Sequence, residues 1–289
     1  MKNYIKVKAL RLLAKFIIAG SWLGKTSKNI SKKKYSLLSG ETNIDVNVYR
    51  PKEKGELPVI VYYHGGGFVI GDVSAYDPVC RDLSEKLGVV VVSINYRLAP
   101  EHPFPAASDD CLSGLIWTID NAQMLGVDSD RIFVAGDSAG GNLAAVTAIR
   151  ARQRHPKALR GQILIYPMAD HYSSDRASYS QYAKGYGLTR DLLIWFWDQY
   201  LQGANVDDPN ASPLRSEQLS ELPPALIMTA EYDPLCDEGE AYAERLQASG
   251  VKVQYSMYDG QKHGFFGTIG PAEAHKKGLA EISTWLHES

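Results

Sequence analysis

A serine stands between two glycines in the stretch Gly-Asp-Ser-Ala-Gly, where Gly136 and Gly140 flank Ser138. An apolar run at residues 131–135 precedes the stretch, and a helical pattern follows at residues 143–152. A serine hydroxyl is a weak nucleophile, so it must project from a sharp turn toward a base. Glycines permit such a turn, and the helix after it directs its N-terminal amides at developing negative charge. The pattern predicts that Ser138 is a nucleophile for acyl transfer, although small residues can also simply turn a strand into a helix.

Such a serine needs a base, and histidine is the usual base in this chemistry. The chain has seven histidines, of which only His64 and His263 directly follow predicted strands. In α/β hydrolases the nucleophilic serine comes first along the chain, then the acid, then the histidine. His263 fits this order, whereas His64 precedes the serine. The sequence therefore predicts His263 as the base.

The acid that orients the base is expected after the strand predicted at residues 225–229. Three carboxylates are available there: Glu231, Asp233 and Asp237. Asp237 looks like a helix N-cap, because Glu240 lies three residues further on and would complete a capping box. Glu231 can still belong to the end of the strand. Asp233 precedes a proline, which holds it extended in the loop, so we predict Asp233 as the acid.

Backbone N–H groups that bind an oxyanion must lie where no side chain obstructs them. Three consecutive glycines follow directly after the strand predicted at residues 57–63, in the run His-Gly-Gly-Gly-Phe at residues 64–68. A glycine hinge is the alternative interpretation of this run. A further donor is expected from the amide of Ala139, the residue after the nucleophile.

Taken together, these stretches resemble the hormone-sensitive-lipase-like family of α/β-hydrolase esterases. The motifs that carry the resemblance occur in the family's order at residues 64–68, 96–106, 136–141, 233–235 and 263–265. The resemblance implies an α/β-hydrolase fold, with a mostly parallel central sheet, helices on both faces and a helical cap. It places the catalytic triad on Ser138, Asp233 and His263. It places the oxyanion donors on Gly66, Gly67 and Ala139, and it implies neither a metal nor an organic cofactor.

Predicted strands and helices alternate along most of the chain, which is typical of a mostly parallel sheet covered on both faces. Residues about 170–215 interrupt this alternation, and they contain an aromatic-rich helix at residues 192–201. Ligands bind such sheets at the carboxyl ends of the strands, so this insertion is well placed to form a lid. We therefore expect a catalytic domain at residues 41–289 that includes this cap insertion. The resemblance makes a helical segment at residues 1–40 a further part of the cap.

The N-terminal segment differs from the rest of the chain in charge. Residues 1–40 contain nine Lys and one Arg and no acidic residue, and the remainder carries 21 basic and 33 acidic residues. The pattern predicts a helix with a basic and an apolar face, formed by Lys8, Arg11 and Lys15 and by Leu10, Leu13 and Ile17. Residues 1–34 could contact a membrane surface, but packing of the apolar face on the protein is favoured. The apolar run is too short and interrupted for a membrane span or a clear signal peptide.

Composition narrows the partners and the compartment. The formal net charge of −2 gives the whole chain no electrostatic reason to bind nucleic acid. Three widely spaced cysteines favour neither a disulfide framework nor a zinc site, so a reducing, cytoplasmic location is expected. The expected partner is a small ester, and a homodimer remains open.

The leading hypothesis is a serine carboxylesterase for short- to medium-chain esters, with a chain-length range taken from the resemblance. Two alternatives share the scaffold. One is a receptor that binds a small ligand without catalysis, since fold alone does not establish activity. The other is an amidase or deacetylase that acts on a specific metabolite with the same machinery.

Overall fold

The computed structural model describes residues 2–21, 29–267 and 272–288. One sheet contains the strands β1 (Ser31–Ser39), β2 (Thr42–Arg50), β3 (Leu57–Tyr63), β4 (Val90–Ile94), β5 (Val127–Asp137), β6 (Gly161–Ile165), β7 (Ala225–Tyr232) and β8 (Val253–Lys262). The α-helices are α1 (Lys2–Ser21), α2 (Asp77–Leu87), α3 (Ala106–Asp120), α4 (Ala122–Leu125), α5 (Ala139–Arg154), α6 (Ala177–Gln181), α7 (Arg190–Leu201), α8 (Cys236–Ala248) and α9 (Ala272–Glu288). Short 3₁₀ turns lie at Tyr172–Ser174 and Pro213–Arg215.

The sheet order is β1-β2-β4-β3-β5-β6-β7-β8. β1 and β2 pair antiparallel with each other, and β2 pairs antiparallel with β4. All pairs from β4 through β3, β5, β6 and β7 to β8 are parallel. The predicted fold class, a mostly parallel sheet flanked by helices, is confirmed.

Two apolar clusters cover the two faces of this sheet. Val59 and Val61 of β3 belong to one cluster, together with residues of α3, α5 and α8. Ile60 and Tyr62 of the same strand belong to the other cluster, together with residues of α2 and α9. Because successive strand residues point to opposite faces, a strand buried on both sides must be apolar throughout. This is why the central strands read as continuous apolar runs.

The prediction of a helical segment over residues 1–40 is correct for Lys2–Ser21 and wrong for Ser31–Ser39. The latter residues form β1, which pairs in register with β2 from Ser31 opposite Arg50 to Ser39 opposite Thr42. The chain reverses between the two strands through Gly40, whose φ of 58° suits a glycine. Strand pairing with β2, rather than any local preference, decides this conformation.

Two basic residues of α1, Arg11 and Lys15, contact the rest of the protein. The Arg11 guanidinium donates to the backbone carbonyls of Val69 and Ala99 and to both carboxylate oxygens of Glu101. Lys15 pairs with Asp72 at 3.3 Å. The surface beneath the helix therefore offers carbonyls and carboxylates, which bind cations and not apolar side chains.

The apolar residues of α1 consequently point outward. Leu13 is 56% exposed and Ile17 is 47% exposed, and Leu10 is half-buried. The prediction that this apolar face packs on the rest of the protein is wrong. Within the described residues, no helix has both the length and the apolar character needed to cross a membrane.

Candidate active site

Ser138 occupies a tight turn between the end of β5 and the start of α5. Its backbone has φ 57° and ψ −119°, a strained conformation for a residue with a side chain. A Cβ atom at Gly136 would lie 2.2 Å from the Gly140 carbonyl oxygen, and one at Gly140 would lie 2.0 Å from the Tyr63 carbonyl oxygen. Both glycines are therefore required by the close approach of backbone, as the sequence pattern suggested.

A chain of hydrogen bonds links Ser138 to His263 and Asp233. His263 Nε2 lies 3.0 Å from Ser138 Oγ, and His263 Nδ1 lies 2.7 Å from Asp233 Oδ2. Asp233 is fully buried, and its other oxygen accepts from the Leu235 amide at 3.0 Å. The structure thus brings together the three residues that the sequence singled out, each from the loop after a different strand.

The other two candidate acids are engaged elsewhere. Glu231, at the end of β7, accepts from the Gly260 amide at 2.6 Å. Asp237 accepts from the Ser178 amide at 2.9 Å. The interpretation of Asp237 as an N-cap is wrong, because α8 begins at Cys236 and its N-cap position is held by Leu235. A β-turn precedes this helix instead of a capping box: the Cys236 amide donates to the Asp233 carbonyl oxygen at 3.1 Å.

The glycine loop after β3 turns sharply beside the serine. Gly66 has φ 117° and Gly67 has φ 59°, in the region that favours glycine. A Cβ atom at Gly66 would lie 2.2 Å from the Ile70 carbonyl oxygen, and one at Gly67 would lie 2.1 Å from the Phe196 ring. Among the described residues, no acceptor is bonded to the N–H groups of Gly66, Gly67 and Ala139. These three amides are therefore available to a ligand.

Asp137 is a positioning residue that the sequence analysis missed. Its buried carboxylate accepts from the hydroxyls of Tyr62 and Tyr76 at 2.7 and 2.9 Å and from the Gly65 amide at 3.0 Å. Burial raises the pKa of Asp137, and the two tyrosine hydrogen bonds oppose that rise. The Asp137 carboxylate thus links the glycine loop to the turn that carries Ser138. The sequence does contain an indication of this role. Asp137 is an acidic residue in a turn of small and apolar residues, and a carboxylate that is buried there needs hydrogen-bond donors.

His64 lies behind the glycine loop. Its ring stacks on Tyr96 with centroids 4.3 Å apart, and its Nδ1 lies 2.8 Å from the Gly65 carbonyl oxygen. Burial lowers the pKa of His64 to about 4, so the ring is neutral near pH 7. His64 therefore contacts the glycine loop, whereas His263 is hydrogen-bonded to Ser138. His263 is the histidine that chain order selected as the base.

Helix α7 covers the glycine loop with aromatic side chains. Phe68, directly after the glycines, stacks on Tyr200 with centroids 3.8 Å apart and contacts Trp197 at 5.6 Å. The ring of Phe196 lies over Gly67. Phe196, Trp197 and Tyr200 are therefore buried packing residues, and Phe196 also lies against the glycine loop.

Three features lie together at the carboxyl ends of the strands of a mostly parallel sheet. They are the strained turn of Ser138, the hydrogen-bonded pair of His263 and Asp233, and the amides of the glycine loop. This arrangement defines a serine hydrolase site of the α/β-hydrolase type. A family model described as alpha/beta hydrolase fold matches residues 60–267. The chain belongs to the α/β-hydrolase fold family.

Within this family the chain is similar to several esterases. It is 44% identical over 259 residues to the carboxylesterase NlhH of Mycobacterium tuberculosis, covering 86% of this chain and 80% of that protein. It is 39% identical over 250 residues to an ethyl acetate hydrolase of Pseudomonas putida, covering 85% of this chain and 78% of that protein. The solved structure of a hyperthermophilic esterase from Pyrobaculum calidifontis superposes with a TM-score of 0.89 at 42% identity, covering 97% of this chain and 90% of that one.

Proposed function

We propose that the protein is a serine carboxylesterase that hydrolyses short- to medium-chain esters through an acyl-enzyme on Ser138. The hydrogen-bonded chain from Ser138 through His263 to Asp233 is the observation that carries the proposal. The relatives named as a carboxylesterase and an ethyl acetate hydrolase support this reaction and substrate class. The motifs at residues 64–68 and 136–141 favour the hormone-sensitive-lipase-like branch.

Acylation begins with a proton transfer from the serine. Asp233 accepts a hydrogen bond from His263 Nδ1–H, which leaves Nε2 free to take the proton of Ser138 Oγ. Oγ then attacks the ester carbonyl, and the imidazolium returns the proton to the leaving alcohol. Asp233 stays ionised and stabilises the imidazolium. In deacylation a water molecule replaces the serine: His263 removes its proton, hydroxide attacks the acyl carbon, and the proton returns to Oγ.

The oxyanion formed in each step needs hydrogen-bond donors. The amides of Gly66, Gly67 and Ala139 are available for this role, and Ala139 opens α5, whose N-terminal dipole favours negative charge. Asp137 and His64 hold the glycine loop in place through Gly65. Donors fixed before the reaction stabilise the transition state without reorganisation.

A cap over this site completes the proposal. We assign it to α1, within residues 1–40, and to the insertion at residues about 170–215 of the catalytic domain, which covers residues 41–289; Ser31–Ser39 belong to the sheet as β1. Two contacts support the assignment: Phe196 of α7 lies on Gly67, and Arg11 of α1 binds the Val69 carbonyl just beyond the glycine loop. Covering the glycine loop with apolar rings favours an apolar acyl or alcohol group.

A cytoplasmic location is also part of the proposal. Cys80, Cys111 and Cys236 are free and buried, as expected in a reducing compartment. Recovery of the native protein from a secreted fraction would contradict this location. Contact with a membrane and formation of a homodimer would both use the exposed apolar face of α1.

The decisive experiment compares the wild type with Ser138→Ala on p-nitrophenyl acetate and on an organophosphate probe. We expect the wild type to release p-nitrophenol and to be labelled once per chain, and we expect Ser138→Ala to lose both properties. A folded wild type without hydrolysis or labelling would favour the non-catalytic receptor. Preferential cleavage of a matched p-nitroanilide over the ester would favour the amidase alternative.

A further inference from the structure

The outward face of α1 is a concentrated apolar surface. Leu12, Leu13, Phe16 and Ile17 are 59, 56, 68 and 47% exposed. In the described part of the chain, large exposed apolar side chains otherwise occur only singly, at Leu38, Met124 and Met257. Scattered apolar residues are normal on a protein surface, but a contiguous patch marks a contact site. We refer to these four residues of α1 as the outer face.

The orientation of α1 is fixed by specific contacts. Val7 is fully buried on the inner side of the helix. One turn further on, the Arg11 guanidinium donates to both carboxylate oxygens of Glu101, at 2.9 and 2.7 Å. Lys15, another turn on, donates to the Ser74 hydroxyl at 2.8 Å. A helix held by residues i, i+4 and i+8 cannot turn its outer face inward without breaking these bonds.

The charge of the segment indicates what covers the outer face. Residues 1–40 carry ten cationic side chains and no acidic one, and the exposed Lys8 borders the outer face. Symmetric pairing of two copies through α1 would bring two such cationic segments together, which is unfavourable. An anionic lipid surface would accept the outer face together with Lys8 and other cations of the segment, whereas Arg11 and Lys15 stay paired with Glu101 and Asp72.

We propose that α1 docks the protein on an anionic membrane surface, with the outer face inserted at the boundary between headgroups and acyl chains. The helix rests on the carbonyls of Val69 and Ala99, just beyond the glycine loop. Docking therefore brings the sheet edge that carries Ser138 toward the lipid. The proposal stands on α1 alone and does not depend on the reaction assigned to Ser138.

The test is sedimentation of the full chain with two kinds of vesicle, one of phosphatidylcholine alone and one containing phosphatidylglycerol. We expect binding to the anionic vesicles and much weaker binding to the neutral ones. The double variant Leu13→Asp/Phe16→Asp should lower the partition coefficient about tenfold or more, because two large apolar groups no longer enter the lipid. Met124→Asp, at an equally exposed site on α4, is the matched control and should bind as the wild type does. Thermal unfolding curves show whether each variant is folded.

Three results would overturn the proposal. The first is no binding of the wild type to anionic vesicles. The second is binding that is unchanged in the Leu13→Asp/Phe16→Asp variant, which would mean that charge alone attracts the protein. The third is a dimer in sedimentation velocity that the same variant dissolves, without vesicle binding by the wild type. That result would make a second copy the occupant of the outer face.

Discussion

At the scale of single residues, the site depends on a few side chains whose surroundings leave them one role each. Ser138 is held in a strained conformation, which points its hydroxyl at His263. Asp233 is fully buried and bonded to His263, whereas Asp237 binds a backbone amide of the insertion. We therefore propose different roles for two carboxylates four residues apart: Asp233 orients the base, and Asp237 holds the insertion.

This division predicts the outcome of two matched amide substitutions. Asp233→Asn should lower kcat by about 10⁴ at neutral pH, because the amide favours the wrong histidine tautomer. Asp237→Asn should leave kcat near the wild-type value, since its remaining oxygen can still accept from the Ser178 amide. Initial rates on p-nitrophenyl acetate measure both. A larger loss in Asp237→Asn would show that the acid is assigned to the wrong residue.

At the scale of elements, the glycine loop after β3 is held between α7 and the serine turn. Phe196 presses on Gly67 from one side, and Asp137 binds Gly65 from the other. The loop has no side chains of its own with which to fix its amides. Its neighbours therefore determine where the amides of the loop point, and with them the proposed oxyanion donors.

We expect Gly67→Ala to impair catalysis more than folding. The new methyl group would lie 2.1 Å from the Phe196 ring at φ 59°, so the loop must shift and the amide must leave its position. Loss of one oxyanion donor typically lowers kcat by about 10²–10³. Gly250→Ala is the control, because that glycine also has a positive φ (82°) but its Cβ would meet nothing within 4 Å. Equal kcat values for the two variants would contradict a role for the Gly67 amide.

At the scale of the whole molecule, a buried carboxyl group of α8 contributes to holding the proposed cap insertion on the sheet domain. Glu238 of α8 accepts from the Ala169 amide at 2.8 Å and is hydrogen-bonded to the Tyr179 hydroxyl of α6. Burial raises the pKa of Glu238 well above its usual range, and nearby Asp170 adds to the rise. The folded protein therefore keeps this proton at a pH where the unfolded chain has released it.

This linkage predicts how stability depends on pH. Because the folded state binds the extra proton, the contribution of Glu238 to stability decreases as the pH rises above its ordinary pKa of 4.5. Glu238→Gln removes the titration and retains hydrogen-bonding atoms. Its Tm relative to the wild type should therefore rise between about pH 5 and about pH 8. Thermal unfolding across this range measures the difference, with Glu240→Gln, exposed on the same helix, as the control. A Tm difference that is constant with pH would contradict the prediction.

Much of the site could be predicted from the sequence because its determinants are local. A serine turn requires glycines where backbone approaches backbone, as at Gly136 and Gly140. Strands buried on both faces require apolar runs, so the strand ends that carry Ser138, Asp233 and His263 are visible along the chain. The boundaries of helices are less visible along the chain: α3 and α4 are divided at Asn121 without a proline or glycine at the break.

Contacts between residues distant in sequence decided the rest. The pairing of Glu101 with Arg11 depends on the position of α1, 90 residues away along the chain. The role of Asp137 depends on two tyrosines about 60 and 75 residues away. The sequence by itself determined which residues meet at the candidate site, because turns and apolar runs are local. Only the tertiary structure decided that α1 turns Arg11 and Lys15 inward and Leu13 and Ile17 outward, because that choice depends on the carboxylates and carbonyls beneath the helix.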